Sequence, residues 1–552
     1  MTGGSFSRVG VVGLGTMGAG IAEVLARGGL PVVGIEIDAA ALERGRGHLE
    51  RSTGRAVKRG RLTEDAQAEI LGRVALSTDF ADLGDCDLVI EAVPERIELK
   101  RKVFAELDKV CRDDAVLATN TSSLSVTDIA VTTRRPTKIV GVHFFNPAPV
   151  MKLVEVIRTV LTDPEAVAGV AALVRGLGKT PVTIGDRAGF VANRLLFGYL
   201  NQAAQMLETG HATRDDIDTA MKVGAGLPMG PFTLMDLIGL DTCLEVLEAI
   251  HAESRDRRHA ASPVLRELVT AGLLGRKTGR GFYSYEGEAE RAAEPAPAEA
   301  PRVGVVGTGP EAVAYAGAIA RSGASVRLVA VDLRRQPGDA DALRADLDDK
   351  VEVGTDLAAL AGCDLVIEAS EADEARLPLE LFEALGAAVR PGAILAAADP
   401  EIPVIDLAVA AGRPGEVLGL HRPEAEGTLV EIVTTAATPA EVADRAAALS
   451  AALGLTPVRC RDRVGFIVDA LRFPYLNDAA TMLGAGYADA DSIDAAMTLG
   501  CGYPAGPIAD LDRIGLDRVV EVLDAMAEET REPSLVPALM LEEHLAAGIP
   551  LR

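Results

Sequence analysis

The chain lacks the cysteine pattern of a disulfide-bonded or zinc-binding protein. Its 552 residues include only six cysteines, which lie far apart, form no CxxC pair and have no histidine nearby at metal-ligand spacing. The pattern argues against a disulfide framework and against a bound metal, so we expect reduced, mostly buried thiols. The six are Cys86, Cys111, Cys243, Cys363, Cys460 and Cys501.

The chain also lacks an excess of positive charge. Acidic residues outnumber basic ones, so the formal net charge at pH 7 is -26. This balance argues against a nucleic-acid or anionic-membrane surface, except where basic residues gather locally. No apolar stretch reaches membrane-spanning length, and a single Arg8 precedes the first strand pattern. We therefore expect no signal peptide, no membrane partner and a cytoplasmic protein. The absence of tryptophan excludes no class of protein.

The order of apolar segments indicates an α/β fold. Short runs rich in valine and isoleucine alternate with stretches of helical period up to about residue 187, and helical patterns alone follow. Such alternation predicts a Rossmann-type, doubly wound parallel sheet, here followed by an all-α domain. Residues 286–301 are rich in Pro, Ala and Glu and are expected to form a linker.

The chain then repeats itself. RVGVVGLGTMG at 8–18 returns as RVGVVGTGPEA at 302–312, CDLVIEA at 86–92 returns at 363–369, and GFVANRLL at 189 returns as GFIVDALR at 465. The offset falls from 294 to 277 between the first two pairs, so the second copy lacks 17 residues in its nucleotide-binding half. We predict two tandem units, with domains at 1–186 and 187–285, a linker at 286–301, and degenerate and helical domains at 302–462 and 463–552.

A dinucleotide-binding turn is predicted near the N-terminus. Gly13, Gly15 and Gly18 form GxGxxG between a strand and a helix, with Thr16 and Met17 inside the turn. The glycines permit a tight turn, close approach of a pyrophosphate and close helix packing, while the helix N-terminus favours an anion. Glu36 ends the next strand, where a carboxylate accepts the ribose hydroxyls of NAD and repels the 2′-phosphate of NADP.

The second copy departs from this pattern, because Ala312 replaces the third glycine. A methyl group there crowds the helix against the strand, which puts nucleotide binding by the second copy in doubt.

A histidine and a glutamate form a second candidate site. His143 ends one apolar run and Glu155 lies twelve residues later in another. A carboxylate in so apolar a context needs a partner, and an imidazole that accepts a proton is a suitable one. The alternative is two residues that are satisfied separately.

The chain resembles the L-3-hydroxyacyl-CoA dehydrogenases, including the bacterial 3-hydroxybutyryl-CoA enzymes. The resemblance covers roughly 8–286 and is carried by GLGTMGAGIA, EAVPERIELK, NTSSLS, GVHFFNP, KLVEVI, GFVANRLL, GAGLPMGPF and GRKTGRGFYSY. It implies a nucleotide-binding domain followed by a helical dimerisation domain. It also implies NAD as cofactor and an acyl-CoA as substrate.

The resemblance further implies roles for individual residues. His143 looks like the base that takes the 3-hydroxyl proton, and Glu155 looks like its orienting carboxylate. Ser122 looks like the donor to the 3-oxygen, and Asn193 like the residue that steadies the substrate and His143. Asn146 is expected in the same pocket.

Two further residues, Glu95 and Lys100, resemble nicotinamide-side contacts of the family. Simpler interpretations stay open at this stage. Ser122 is alternatively a helix N-cap, and Glu95 and Lys100 are alternatively an exposed pair on a helix.

A local basic cluster lies at 43–61, where seven basic residues face two acidic ones. The family places acyl-CoA contacts here, so Ser52, Lys58 and Arg59 are candidates for binding the phosphates of coenzyme A. The alternative is an ordinary solvated helix face.

The second copy has lost most of this set. Pro400, Asp469, Ala372 and Leu377 replace Ser122, Asn193, Glu95 and Lys100, and the remnant of the basic segment at 332–352 has four basic and seven acidic residues. His421 and Glu431 remain. We therefore expect one working site, with the second copy supplying the face of a dimer partner within one chain, although a homo-oligomer is also possible.

The predicted function is NAD-dependent interconversion of (3S)-3-hydroxyacyl-CoA and 3-ketoacyl-CoA. One alternative is a dehydrogenase of a free hydroxy acid, as in the related gulonate dehydrogenase and lambda-crystallin group. Another is a non-catalytic nucleotide-binding structural protein. Acyl length and pathway are left open by the sequence.

Overall fold

The structure is a computed structural model, and it describes residues 6–285, 301–331, 343, 347, 351–370, 377–398, 402–424 and 427–552. Most of the acidic remnant at 332–352 therefore lies outside the described residues, as do Ala372 and Pro400. The side chain of Leu377 is not described either. We call 6–285 the first unit and 301–552 the second unit.

Each unit contains one eight-stranded sheet, with the order β3-β2-β1-β4-β5-β6-β7-β8 in the first and the same order of equivalents in the second. The strands of the first unit are β1 (Val9–Val12), β2 (Val32–Ile35), β3 (Val74–Ser77), β4 (Leu88–Glu91), β5 (Val116–Thr119), β6 (Ile139–Phe144), β7 (Leu153–Arg158) and β8 (Thr180–Gly185). Those of the second are β9 (Arg302–Val306), β10 (Ser325–Val329), β11 (Val351–Gly354), β12 (Leu365–Glu368), β13 (Ile394–Ala397), β14 (Val417–His421), β15 (Leu429–Thr434) and β16 (Thr456–Arg461).

The sheets are mixed, which corrects the expectation of an entirely parallel arrangement. β7 runs antiparallel to β6, and β15 runs antiparallel to β14, whereas the other paired strands are parallel. Only residues 145–152 connect β6 to β7. A parallel pair requires a crossover of a dozen or more residues, so this connection is too short and the chain reverses instead.

Helices cover both faces of each sheet and then continue as a helical half. In the first unit they are α1 (Thr16–Arg27), α2 (Ala39–Lys58), α3 (Glu64–Gly72), α4 (Ile97–Val110), α5 (Val126–Ala130) and α6 (Pro164–Gly176), then α7 (Ala192–Glu208), α8 (Arg214–Thr219), α9 (Pro231–Ile238), α10 (Leu240–Ser254) and α11 (Pro263–Thr270). In the second they are α12 (Pro310–Arg321), α13 (Leu377–Ala388), α14 (Val404–Ala410) and α15 (Ala440–Ala452), then α16 (Val468–Gly484), α17 (Ala490–Ala495), α18 (Pro507–Ile514), α19 (Leu516–Thr530) and α20 (Leu539–Ala547).

Shorter helical turns complete both units. The 3₁₀ turns are Phe80–Leu83, Pro136–Lys138, Arg257–His259, Arg276–Thr278, Leu357–Leu360 and Pro533–Leu535, and the π turns are Ala220–Gly224 and Ala496–Gly500. The π turns follow α8 and α17 directly, so the two units repeat even this irregular feature.

The two units pack against each other in a reciprocal manner. Helix α7 contacts α16, α8 and the π turn after it contact β16 and β15, and α17 and its π turn contact β8 and β7. His211 Nε2 lies 2.7 Å from the Phe466 carbonyl oxygen, and the Tyr487 carbonyl accepts a hydrogen bond from the Gly185 amide at 3.4 Å. Each unit thus covers the sheet of the other.

All six cysteines are free thiols, and five of them are buried. In the ranges that the structure covers, no helix combines the length and the apolar character needed to cross a bilayer.

A buried carboxylate at the end of β4 distinguishes the units. Glu91 is fully buried and accepts hydrogen bonds from Lys100 Nζ at 2.9 and 3.1 Å and from Thr119. Its equivalent Glu368 is also buried, but the sequence places Leu377 where the lysine would be. Burial raises the pKa of Glu368 to about 7. The second unit therefore contains a carboxyl group that folding favours in its neutral form.

This difference predicts a pH-dependent stability effect. A carboxyl group whose pKa rises from 4.5 to about 7 on folding destabilises the native state above pH 7, and the cost disappears as the pH falls towards 4.5. We expect Glu368→Gln to stabilise the protein by about 3 kcal/mol more at pH 8 than at pH 4.5. Calorimetric unfolding at the two pH values measures this effect.

The matched control is Glu91→Gln, which breaks a buried ion pair and should destabilise the protein by about 3–5 kcal/mol. A stabilising effect of Glu368→Gln that is equal at both pH values would contradict the assignment.

Candidate active site

The glycine turn between β1 and α1 has the geometry of a phosphate-binding loop. Gly13 has a φ of +86°, and a Cβ added to Gly18 would lie 1.7 Å from the Gly13 carbonyl oxygen. A Cβ added to Gly15 would meet no atom within 4 Å. Two of the glycines are thus required by the turn itself, and the third leaves open space at the N-terminus of α1, where backbone N–H groups favour an anion.

Glu36 fixes the other side of this turn. Its Oε1 accepts a hydrogen bond from the Leu14 amide at 2.6 Å, and its Oε2 accepts one from the Ile37 amide at 3.1 Å. The carboxylate therefore lies directly beyond the glycine turn, where it suits the ribose hydroxyls of NAD. The residues present fit a dinucleotide.

The second unit does not reproduce this fit. Ala312 occupies the position of Gly18, and Gly307 has a φ of +147° where Gly13 has +86°. The register of β9 and β10 also places Ala330 where Glu36 lies in the first unit, so the ribose carboxylate is missing. Sequence comparison predicted the first of these losses and overlooked the second.

His143 and Glu155 are brought together by the reversal of the chain after β6. They are direct cross-strand neighbours in the antiparallel β6–β7 pair, and His143 Nδ1 lies 2.7 Å from Glu155 Oε2. Glu155 is 1% exposed and His143 is 8% exposed. His143 also lines the cavity described below.

The second carboxylate oxygen of Glu155 is held by the start of the helical half. Oε1 accepts hydrogen bonds from the Val191 and Ala192 amides at 3.2 Å each. Gly189 and Phe190 precede them with φ values of +77° and +47°, a left-handed bend that turns these amides towards the sheet. We call His143 and Glu155 the dyad. The dyad therefore also connects the two domains of the unit.

One cavity of about 920 Å³ joins the glycine turn to the dyad. Most of the residues assigned to the site from sequence line it, namely Gly13, Gly15, Thr16, Met17, Glu36, Glu95, Ser122, His143, Asn146 and Asn193. The glycine turn and His143 thus border one continuous space.

The simpler interpretations of Ser122, Glu95 and Lys100 are wrong. Ser125, and not Ser122, caps helix α5. Lys100 is fully buried, with Nζ 3.4 Å from Glu95 Oε2 as well as bonded to Glu91, so it forms no exposed helical pair.

Glu95 in turn accepts hydrogen bonds from Thr121 Oγ1 at 2.5 Å and from the Ser122 amide at 2.8 Å. Burial alone would raise the pKa of Glu95, but the charge of Lys100 and these hydrogen bonds lower it overall. Glu95 is therefore kept ionised and fixes the loop that carries Ser122.

The three coenzyme A candidates lie on or next to α2. Ser52 is partly buried, whereas Lys58 at the end of the helix and Arg59 after it are exposed. Among the described residues, neither Lys58 nor Arg59 has an ion-pair partner within 4 Å. Arg46 on the same helix, by contrast, contacts Glu43 at 3.3 Å.

The second unit keeps the dyad but changes its surroundings. His421 Nδ1 lies 2.6 Å from Glu431 Oε2, and Glu431 Oε1 accepts hydrogen bonds from the Ile467 and Val468 amides at 3.0 Å each. Asp469, which replaces Asn193, is ion-paired with Arg518 at 3.2 Å. A carboxyl group therefore stands where the first unit has an amide, which can also donate hydrogen bonds.

Sequence analysis did not identify several residues of the candidate active site. Asn120 Oδ1 accepts a hydrogen bond from the Phe144 amide at 3.0 Å and so fixes the strand next to His143. Glu91 completes the Lys100 network, and Arg44 and His48 line the cavity beyond Glu36. The only sequence signal was for Glu91, because a charged residue ends an otherwise apolar strand in both copies of CDLVIEA.

Two sequence models of one enzyme family each match the chain twice. The model for the 3-hydroxyacyl-CoA dehydrogenase NAD binding domain matches residues 8–187 and 302–463, and the model for the C-terminal domain matches 189–285 and 465–550. A 3-hydroxybutyryl-CoA dehydrogenase of Mycobacterium tuberculosis is 46% identical over 283 residues, which cover 51% of this chain and 99% of that protein.

Other relatives match both units. The 3-hydroxyadipyl-CoA dehydrogenase of Escherichia coli is 33% identical over 536 residues, which cover 97% of this chain and 96% of that protein. A crystal structure of 3-hydroxybutyryl-CoA dehydrogenase from Escherichia coli superimposes with a TM-score of 0.77 at 30% identity, covering 98% of this chain and 99% of that one. The chain therefore belongs to the 3-hydroxyacyl-CoA dehydrogenase family, as a NAD-dependent oxidoreductase made of two fused units of that family.

Proposed function

We propose that the first unit interconverts (3S)-3-hydroxyacyl-CoA and 3-ketoacyl-CoA, with His143 and Glu155 as the catalytic pair. The observation that carries the proposal is the 2.7 Å contact of this pair inside the cavity that also contains the glycine turn and Glu36. Transfer of a proton from the 3-hydroxyl oxygen and of a hydride from C3 requires both features in one space.

The contact with Glu155 assigns the two nitrogens of His143. A buried carboxylate at Nδ1 holds the proton on that nitrogen, so Nε2 is the atom that accepts the 3-hydroxyl proton. As the imidazole becomes cationic, Glu155 stabilises the charge, and the two backbone amides keep the carboxylate in place. NAD, when bound at the glycine turn, supplies the acceptor for the hydride that leaves C3.

Ser122 and Asn193 are proposed to bind the substrate's 3-oxygen, as both line the cavity near His143. Ser122 follows Thr121 in the loop fixed by Glu95, and its hydroxyl donates a hydrogen bond to Glu95 Oε1 at 3.3 Å, which holds it at the cavity wall. Such fixed donors stabilise charge that develops on the oxygen as the proton leaves. Asn146 borders the same space.

We assign the coenzyme A phosphates to Lys58 and Arg59 at the end of α2, for which the described residues provide no ion-pair partner, and to Ser52 on the same helix. In a protein of net charge -26, two exposed cations that have no ion-pair partner among the described residues are suited to a polyphosphate. This feature favours a CoA thioester over a free hydroxy acid.

The second unit is proposed to act as a built-in dimer partner with no working site. It lacks the third glycine and the ribose carboxylate, and it carries Asp469 in place of Asn193. Its helical half nevertheless covers β7 and β8 of the first unit, which carry and support Glu155.

The first prediction concerns the two histidines. We expect His143→Ala to reduce turnover of acetoacetyl-CoA with NADH at least about a hundredfold while NADH affinity stays nearly unchanged. His421→Ala is the matched control, because the same dyad is removed from the second unit, and turnover should change little. Comparable losses in both variants would show that the second unit is catalytic.

The second prediction concerns nucleotide stoichiometry. Calorimetric titration should find one NADH bound per chain, and Glu36→Ala should weaken that binding about tenfold or more, because hydrogen bonds to a carboxylate are lost. Ala330→Glu is the control in the second unit, and it should not create a second site because Ala312 still crowds the turn. Two sites of similar affinity in the unaltered protein would contradict the proposal.

The third prediction concerns coenzyme A. The double substitution Lys58→Ala with Arg59→Ala should raise KM for acetoacetyl-CoA about tenfold with little change in kcat, since two phosphate contacts are lost. Arg46→Ala is the control, because that guanidinium is already paired with Glu43. Free acetoacetate should react far more slowly than its CoA thioester, and equal kcat/KM values would favour a free hydroxy acid as the substrate.

A further inference from the structure

The two π turns lie at equivalent places in the interface between the units. The turn Ala496–Gly500 of the second unit contacts β7, and the turn Ala220–Gly224 of the first unit contacts β15. β7 and β15 are the strands that carry the glutamate of each histidine–glutamate pair. Each unit therefore places one π turn beside the pair of the other unit.

Gly500, at the end of the second unit's π turn, packs tightly on the first unit. A Cβ added to Gly500 would lie 2.8 Å from Leu153 Cδ2 and 3.4 Å from Phe145 Cε1. Leu153 begins β7, and Phe145 follows His143 by two residues. The second unit thus contacts residues that stand next to the dyad in the chain.

Phe145 links this contact to the imidazole of His143. The centroids of the two rings lie 4.6 Å apart, and both residues line the active-site cavity. A second ring, that of Phe190, lies 5.8 Å from His143. The imidazole is therefore held by the hydrogen bond of Nδ1 to Glu155 and by aromatic contacts with the ring itself.

The second unit repeats the interface contact without the aromatic link. A Cβ added to Gly224 would lie 2.5 Å from Leu429 Cδ2 and 3.4 Å from Pro423 Cγ. Pro423 follows His421 by two residues and so takes the place that Phe145 has in the first unit. The packing is the same in both directions, but an aromatic ring stands between the turn and the histidine in the first unit only.

We propose that the second unit is a working part of the first unit's active site, in which the turn Ala496–Gly500 holds Phe145 against His143. Phe145 is then a positioning residue, and Gly500 is the residue through which the second unit acts on it. The proposal rests on the function assigned above, because it needs His143 as the base. It gives the second unit a part in turnover as well as in folding.

The physical reason for such a support is the strict geometry of proton transfer. A general base must lie within hydrogen-bond reach of the hydroxyl group, and a misplacement of about 1 Å can reduce the rate about a hundredfold. The bond to Glu155 fixes one nitrogen of His143 but still allows the ring to tilt. Phe145 opposes this tilt, because the edge of its own ring already packs on Gly500.

The experiment compares equivalent substitutions on the two sides of the interface. A valine side chain at position 500 would overlap Leu153 and crowd Phe145, so we expect Gly500→Val to reduce kcat for acetoacetyl-CoA with NADH at least about tenfold. NADH affinity should stay nearly unchanged. The solvent deuterium isotope effect on kcat should rise, because proton transfer becomes rate-limiting when the base is misplaced.

Gly224→Val is the matched control, because it crowds the same contact beside the second unit's histidine. It should lower the thermal stability about as much as Gly500→Val does, while kcat and the isotope effect stay nearly unchanged. Equal losses of kcat in both folded variants, or an unchanged kcat in folded Gly500→Val, would overturn the proposal. An unaltered protein that does not reduce acetoacetyl-CoA with NADH would instead contradict the proposed function.

A substitution of Phe145 tests the link itself. Phe145→Leu removes the ring and leaves the π turn intact, so kcat should fall at least about tenfold. Gly500→Val should add little to this loss in the double variant, since both changes act on one contact. Pro423→Leu is the control in the second unit and should leave kcat unchanged. Additive losses, or full activity of folded Phe145→Leu, would overturn the proposal.

Gly500→Ala and Gly224→Ala repeat the comparison if the valine variants do not fold. The smaller side chain still overlaps Leu153 at the first position and Leu429 at the second. The same difference in kcat is expected, and equal values for the two alanine variants would overturn the proposal.

Discussion

A single buried contact, between His143 and Glu155, joins the sheet to the helical half of the first unit, and we propose that the chemistry depends on the same contact. The short connection after β6 forces an antiparallel neighbour and so sets the two side chains opposite each other. The amides at the start of the helical half complete the coordination of the carboxylate. Because a buried carboxylate needs all of these partners, the two domains of the unit are held at one relative position.

The duplication separates what this contact does for folding from what it does for catalysis. The second unit keeps the same histidine, the same glutamate and the same pair of amides at nearly equal distances. It has changed the glycine turn and the residue that corresponds to Asn193, which we propose binds the substrate oxygen. A dyad retained in such a setting is consistent with a structural role in both units, and the chemistry depends on the groups around it.

Much of this was accessible from sequence. The period of the apolar residues and the glycine turn predicted the α/β units, and the repeat predicted two of them, as the family matches confirm. The sequence could not show that Lys100 is buried, because residues on a helix with alternating charges have the pattern of a solvated face. Sequence comparison overlooked that Ala330 replaces Glu36, because the flanking residues differ, although the offset of 294 gives this pairing and the strand register confirms it.

The sequence by itself determined the class of fold, the duplication, the family and the types of residue available for chemistry, because these depend on local period and on short motifs. The tertiary structure alone decided the antiparallel reversal after β6, the Lys100 network beneath Glu95, and the way each unit covers the sheet of the other. The contacts between the units join residues far apart in the chain, and all three features depend on burial and pairing in three dimensions, which local sequence patterns do not show.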